Sequence, residues 1–275
     1  MTSLVVTVSG VLIVAAIWHI LATGRFRSKF GKMRRTLIES HSQNNQKIGF
    51  DALPPVARQF IERAGVAMSN APRAVLLTQS AEMRMGTDKP WQKIRCEQVI
   101  AVQKPGFAWF ADQRRGIVST VRVIDAYIDG HGLLEARLLG SIPVARLDGP
   151  QADQSELMRY LAEIPWAPDA ALHNSSIAWR EVDERIVELS AKSNGGTARV
   201  RLLFNDNAEV VEMHADERGS TENGKMVMRP WRGRFSEYRE IGGRRIPVRG
   251  EVGYVYDDGY AAYWRGRITH YALNW

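Results

Sequence analysis

The sequence predicts a mainly β protein with minor α content. We expect one N-terminal transmembrane helix, followed by a large curved antiparallel sheet, or half-barrel, with one or two covering helices. Three observations support this fold class. Residues 4–23 contain no Asp, Glu, Lys or Arg. From Arg73 onward, apolar and polar residues alternate in short runs separated by turn-type sequences. Strands and helices do not alternate, so neighbouring strands joined by short turns must be antiparallel.

The first element is the apolar run "LVVTVSGVLIVAAIWHILAT" at 4–23. A helix of this length reaches about 30 Å, the thickness of a bilayer's hydrocarbon core. A cleaved signal peptide would have basic residues before the run, whereas here they follow it. A buried core helix would keep one polar face. The pattern therefore predicts a membrane anchor over 1–24, with Trp18 near the interface.

A basic segment follows the apolar run, and 25–51 is interpreted as a juxtamembrane segment and linker. Its cations are expected at the membrane surface: Arg25, Arg27, Lys29, Lys32, Arg34 and Arg35. Basic flanks favour the cytoplasmic side. We therefore expect a single-pass protein of the inner membrane with a cytoplasmic body, a periplasmic body being the alternative.

The charge of the chain argues against a nucleic-acid partner. The whole chain carries +7, but residues 1–35 hold six basic and no acidic residues, which leaves 31 basic against 30 acidic residues in the rest. A nearly neutral body lacks the basic face that nucleic acids require.

The third predicted region, 52–275, is one antiparallel β domain of about twelve strands. Helices are expected near 54–64, where Pro54 or Pro55 suits the first turn before an apolar stripe, and near 153–163, where Asp153 and Glu156 have the spacing of a capping box. Pro165 and Pro168 are expected to end the second helix.

The sequence offers no established catalytic motif, so no catalytic residue, cofactor or metal site is predicted. It has one cysteine, Cys96, in a strand pattern typical of a buried side chain. Asp125 and Asp129 lie four apart on one predicted strand, and His173 precedes another. These three define the candidate site of an enzyme hypothesis. Large aromatic residues, with His173, are the candidates for ligand contact: Trp109, Trp166, Trp179, Trp231 and Trp264.

Two resemblances extend this interpretation. The segments that carry the first resemblance are "LPPVARQFIERAG", "FADQRRG", "IDAYIDGHG", "RLLGSIPVARLDG" and "LMRYLAEIPWAPDAALHN". In these segments the chain resembles an uncharacterised bacterial membrane-associated family of unknown function. That resemblance brings no activity. The C-terminal half, with "ARVRLLFNDNAEVVEMHADERGS" and "YREIGGRRIPVRGEV", is similar to the half-barrels of LolA/LolB-type lipoprotein carriers. This second resemblance implies a curved sheet with a helical lid around a cavity for acyl chains.

Three functions remain open at this stage. The first is a membrane-tethered protein that holds a lipid or other apolar ligand in the curved sheet. The second is a scaffold that presents a sheet surface to a partner protein. The third is an enzyme with a site near Asp125, Asp129 and His173. A large apolar pocket would favour the first function, and convergent ionisable groups would favour the third.

Overall fold

The computed structural model describes residues 2–39, 49–116, 118–222 and 225–275, with the backbone alone for residues 2–12. In these ranges the chain forms four α-helices and thirteen strands. The helices are α1 (Thr2–Glu39), α2 (Pro55–Arg63), α3 (Pro150–Ala162) and α4 (Pro168–His173). The strands are β1 (Ala74–Met83), β2 (Gln92–Ala101), β3 (Phe107–Arg115), β4 (Val118–Ile128), β5 (His131–Leu138), β6 (Ile142–Asp148), β7 (Ala178–Asp183), β8 (Ile186–Ser193), β9 (Gly196–Phe204), β10 (Val210–Glu222), β11 (Lys225–Ile241), β12 (Arg244–Tyr256) and β13 (Gly259–Asn274).

All thirteen strands belong to one antiparallel sheet, which confirms the prediction of a mainly β protein built on a large antiparallel sheet. The order is β6-β5-β4-β3-β2-β1-β13-β12-β11-β10-β9-β8-β7. Two meanders, β1–β6 and β7–β13, meet where β1 pairs with β13. Within each meander, consecutive strands therefore pair through short turns, as their alternating sequences predict.

The connection from β6 to β7 joins the two edges of the sheet. It contains α3, a 3₁₀ turn at Ile164–Trp166 and α4, and we call residues 150–173 the lid. The lid crosses the concave face and is bonded to both halves of the sheet. The carboxylate of Asp153 accepts a hydrogen bond from Gly132 N at 2.7 Å, and Gln154 Nε2 donates to Thr197 O at 3.0 Å. A sheet of this size must curl, and the lid fills the hollow.

The lid begins and ends differently from the prediction. Asp153 is not the N-cap of α3, because the helix already begins at Pro150, after Gly149 in a positive-φ conformation. Pro168 does not end helical structure. It is the first residue of α4, because proline fits the first turn of a helix.

Helix α1 packs on the outer, convex face of β2–β4. An apolar stripe at helical spacing, Phe26, Phe30, Met33 and Leu37, lies against Val99, Phe110 and Ile124. Each of the three fully buried side chains contributes roughly 1.5–3 kcal/mol. The segment that the sequence treats as a juxtamembrane linker is therefore helical as far as Glu39. Residues 40–48, the rest of that segment up to Gly49, lie outside the described residues.

The predicted transmembrane helix is not supported. Among the residues that the structure describes, no helix is at once long enough and apolar enough to cross a bilayer. The side chains of residues 4–12, which are part of the predicted span, lie outside that set. The described part of α1 instead changes from an apolar surface before Thr23 to a basic surface with a buried stripe after Gly24.

Candidate functional site

The lid presses one aromatic side chain into a slot on the concave face of the sheet. Trp166, in the 3₁₀ turn, lies edge-on to Phe235 and to Trp264, with ring centroids 5.4 and 6.1 Å apart. Its Nε1 donates to Pro247 O at 3.0 Å. The indole is thus held on both sides and at its polar end.

Two glycines make the floor of this slot. Gly250 and Gly266 are cross-strand partners on β12 and β13. A Cβ atom on Gly250 would stand 2.7 Å from the Trp166 ring, and one on Gly266 would stand 2.7 Å from the Trp264 ring. Both distances are too short for any side chain. The sheet is therefore bare where the rings lie, and we call the space bounded by Phe235, Gly250, Trp264 and Gly266 the Trp166 slot.

One polar atom in the slot lacks a partner. The Nε1 of Trp264 is buried and, within the described residues, meets no hydrogen-bond acceptor. A buried N–H without an acceptor costs about 1–3 kcal/mol. Such groups are uncommon in native cores, and a ligand or water is one explanation for them.

A buried ion network lies beside the slot, beneath α3. Arg159 Nη1 donates to Asp125 Oδ2 at 2.5 Å, and Arg159 Nε donates to Glu163 Oε1 at 2.8 Å. Arg218 of β10 donates to Glu156 Oε1 at 3.4 Å. All five side chains are at most one-sixth exposed. These ion pairs join the lid to both halves of the sheet.

The network contains three carboxyl groups and two guanidinium groups. Burial, and after it the neighbouring Asp125 carboxylate, raises the pKa of Glu156 well above its usual value. Burial alone would lower the pKa of Arg159, but the Glu163 and Asp125 carboxylates raise it. A protonated Glu156 makes the network electrically neutral, which a buried cluster requires. One oxygen each of Asp125 and Glu156 has no other hydrogen-bond partner in the described part of the chain, and a protonated Glu156 can donate to the Asp125 carboxylate.

Two predicted tryptophans pack against this network. The Arg159 guanidinium lies 4.9 Å from the centre of the Trp109 ring, and the Arg218 guanidinium lies 4.4 Å from that of Trp231. Trp109 Nε1 donates to Gln79, and Trp231 Nε1 donates to Tyr263. The structure thus groups Trp109 and Trp231 at the network and Trp166 and Trp264 in the slot. Trp179 lies apart from both groups, near the β7 edge.

The three residues of the enzyme hypothesis lie in separate settings. Asp125 is buried against Arg159. Asp129 is in the β4–β5 turn at φ 50° and pairs with Lys104 at 2.7 Å. His173 ends α4 and its Nε2 is 2.9 Å from Ala67 O. No described group of three or more His, Cys, Asp or Glu residues has the arrangement of a metal site.

The residues that sequence reasoning missed are those of the network and the slot floor. Glu156, Arg159 and Glu163 share the buried side of α3 with Tyr160, a spacing of three to four residues that places charges on the apolar stripe. That spacing is visible in the sequence. The role of Gly250 and Gly266 is not visible there, because it depends on strand register.

The predicted membrane-surface cations lie along α1 on the convex face. Arg27 Nη2 donates to both carboxylate oxygens of Glu97, at 2.6 and 2.7 Å, and Lys29 pairs with Glu135 at 2.6 Å. The remaining four are exposed: Arg25, Lys32, Arg34 and Arg35.

Beside Arg27 an open groove of about 760 Å³ runs over β1–β4 and β13. A second groove, of about 460 Å³, lies between α3 and β8–β10. Both are lined mainly by polar and charged residues.

Comparisons with known proteins place the chain in a family. Solved structures with a similar course include a LolA superfamily protein from Nitrosomonas europaea, at 14% identity over 79% of this chain and 93% of that one, with a TM-score of 0.41. Another is a DUF1329 family protein from Desulfovibrio piger, at 8% identity over 82% and 91% of the two chains, with a TM-score of 0.44. No curated protein matches. The model of DUF6544, a family of unknown function, matches residues 45–266, and the chain belongs to that family.

Proposed function

We propose that this protein is a membrane-attached binding protein that holds an apolar ligand, such as a lipid acyl chain, on the concave face of its sheet. The observation that carries the proposal is the Trp166 slot. A lid side chain occupies a space that the sheet leaves bare. The ligand takes that space when the lid moves away.

The chemistry of the slot suits an apolar chain. Its walls are the rings of Phe235 and Trp264, and its floor is the glycine backbone at 250 and 266, so these contacts with the Trp166 ring are apolar. Burying an acyl chain there gains about 0.8 kcal/mol for each CH₂ group. The Nε1 of Trp264, which meets no acceptor among the described residues, supplies one hydrogen-bond donor for a carbonyl or ester oxygen.

The ion network gives the lid a defined closed position. Arg159 binds β4 through Asp125, and Glu156 binds β10 through Arg218. A lid held by paired charges returns to the same place after release of the ligand. The enzyme hypothesis has one supporting feature, the convergence of ionisable groups at Asp125, but these groups are buried and paired with one another, and Asp129 and His173 lie elsewhere. No observation on the described residues specifically favours the scaffold hypothesis.

Attachment to a membrane is supported by the surface of α1. Six large apolar side chains on it are each more than half exposed: Ile13, Val14, Ile17, Trp18, Ile20 and Leu21. Exposed apolar clusters of this size mark interaction surfaces. We propose that this surface lies in the inner membrane and that the basic residues after it keep the body on the cytoplasmic side. Alkaline phosphatase fused after residue 275 should then be inactive in a bacterial host, whereas strong activity would place the body in the periplasm.

The binding proposal is tested with a fluorescent fatty acid, cis-parinaric acid, titrated into the full chain in mild detergent. Wild type should bind it saturably, and Trp166→Ala should bind it more tightly, because the slot is already empty. Phe60→Ala is the matched control. It removes a buried ring that packs on Phe204, away from the slot, and should not raise affinity. Absence of saturable binding in both wild type and Trp166→Ala would refute the proposal.

A further inference from the structure

The groove on the convex face has the chemistry of a phosphate site. Three hydroxyl groups line it, those of Thr78, Ser80 and Thr269, and the Thr78 and Thr269 hydroxyl groups lie 2.9 Å apart and bond to each other. Four arginines also line it: Arg27, Arg95, Arg114 and Arg122. With the carboxylates of Glu97 and Asp112, its lining carries a net charge of +2. Arginine binds phosphate through paired N–H donors, and hydroxyl groups add further donors.

Strand register brings these residues together. Ser80 is the cross-strand partner of Arg95, Arg95 of Asp112, and Asp112 of Arg122. They therefore form one row across β1–β4, with their side chains on the face that α1 covers further along. The row could not be recognised in the sequence, because its four residues come from four different strands.

Part of the positive charge in the groove is uncommitted. Arg95 is exposed and, in the part of the chain that the structure describes, makes no ion pair or hydrogen bond. Arg114 pairs with Asp112 at 2.7 Å but is half exposed. Arg122 shares the same carboxylate at 3.4 Å. The Asp112 carboxylate thus neutralises both Arg114 and Arg122 only in part, and Arg95 pairs with no carboxylate among the described residues. The groove therefore has unneutralised positive charge that an anion can bind.

The groove lies next to the apolar surface of α1. Arg27, on its rim, is six residues after Leu21, the last of the exposed apolar residues, a distance of about 9 Å along a helix. His19 Nδ1 lies 2.9 Å from Ser141 Oγ, which holds this part of α1 against the β5–β6 turn. That turn adds further exposed apolar side chains, Leu138, Leu139 and Ile142. Apolar residues and the arginine groove therefore share one end of the body.

We propose that this end docks on a bilayer and that the groove binds the phosphate of an anionic phospholipid. The apolar side chains enter the interface, and the groove then stands at the depth of the headgroups. Charge complementarity selects anionic over zwitterionic lipids. The proposal rests on the membrane attachment through α1 proposed above, and it is independent of the apolar ligand beneath the lid, because it concerns the opposite face of the sheet.

The test uses the full chain in a neutral detergent, titrated with short-chain phosphatidylglycerol and short-chain phosphatidylcholine, with bound lipid counted by native mass spectrometry. Wild type should prefer phosphatidylglycerol. Arg95→Gln combined with Arg122→Gln should weaken its binding about a hundredfold, because each lost charged hydrogen bond corresponds to about tenfold. Arg95→Gln alone, at an exposed residue, should give a smaller loss without affecting folding. The charge-matched control is Arg180→Gln with Arg239→Gln, two exposed arginines on β7 and β11.

The outcomes separate the alternatives. Loss of the preference in the groove variants, and its retention in the control, would support the proposal. Equal loss in the control would show that net charge alone attracts the lipid and would overturn it. Equal binding of both lipids by wild type would also overturn it. Glycerol phosphate is the soluble arm of the test, and binding of it as tight as that of phosphatidylglycerol would assign the groove to a free phosphate ester instead of a membrane.

Discussion

Gly250→Ala and Trp166→Ala form a pair of substitutions that tests whether the indole fills a slot made by missing side chains. An alanine Cβ at 250 would stand 2.7 Å from the Trp166 ring and 3.5 Å from the Trp264 ring. The first contact is impossible without movement, and the second is ordinary. The penalty of Gly250→Ala should therefore come almost wholly from Trp166.

The magnitudes follow from this geometry. Trp166→Ala removes a buried ring and should lower the free energy of unfolding by about 3–5 kcal/mol. Gly250→Ala in wild type overpacks the slot and should cost about 1–3 kcal/mol. With alanine at 166 the clash is gone. The second substitution should then be neutral or should stabilise by up to about 1 kcal/mol, because alanine restricts the unfolded chain more than glycine does.

The assay is urea unfolding of the full chain in mild detergent, followed by far-UV circular dichroism because Trp166→Ala alters the fluorescence. Gly233→Ala is the matched control. Its Cβ would meet Met213 at 2.9 Å, so its cost should not depend on residue 166. If Gly250→Ala cost the same in both backgrounds, within about 0.5 kcal/mol, the slot would not exist as described.

Three further substitutions or modifications test the buried polar groups. Because folding raises the pKa of Glu156, this group stabilises the protein fully below its unfolded pKa of 4.5, and the contribution is lost as the pH rises through the folded pKa. Glu156→Gln should therefore flatten the dependence of the urea midpoint on pH above pH 4.5. An unchanged slope would contradict this. Cys96 is buried and burial raises the pKa of its thiol, so Ellman's reagent should label it only after denaturation; rapid labelling of the folded chain would disprove the placement. Asp169 is fully buried and accepts two hydrogen bonds from Arg244, at 2.6 and 2.8 Å. Asp169→Asn should therefore lower the free energy of unfolding in urea by about 3–5 kcal/mol. A decrease of less than about 1 kcal/mol would mean that water reaches the pair.

The sheet could be predicted because its signal is local. Alternating residues and turn sequences identify each strand, and short turns make neighbours antiparallel. The pairing of β1 with β13, which joins the two meanders, has no local signal. The course of the lid from one edge of the sheet to the other follows only from that long-range pairing.

Helix α1 shows how a strong local pattern can conceal a weaker one. The apolar run at 4–23 and the basic residues after it dominate the sequence. The stripe of Phe26, Phe30 and Leu37 within the basic segment has the spacing of a helix that packs on a surface. This stripe alone does not identify the surface on which the helix packs. That surface is formed by β2, β3 and β4 only once the sheet has folded.

The candidate site was predictable in part. Tryptophans are conspicuous, and four of those singled out lie at the slot or at the ion network. The network itself was missed because charged residues on a helix are ordinarily solvated. Only the folded sheet brings Asp125 and Arg218 to α3, from opposite halves of the chain.

Native mass spectrometry of the full chain, extracted from membranes with mild detergent, tests the central claim most directly. An apolar ligand held beneath the lid should appear as added mass on wild type. The same ligand should be retained or enriched on Trp166→Ala, whose slot is open, and reduced on Phe235→Asp, which places a charged group on the wall of the slot. An identical complement of bound lipid on all three proteins, or none on any of them, would contradict the account.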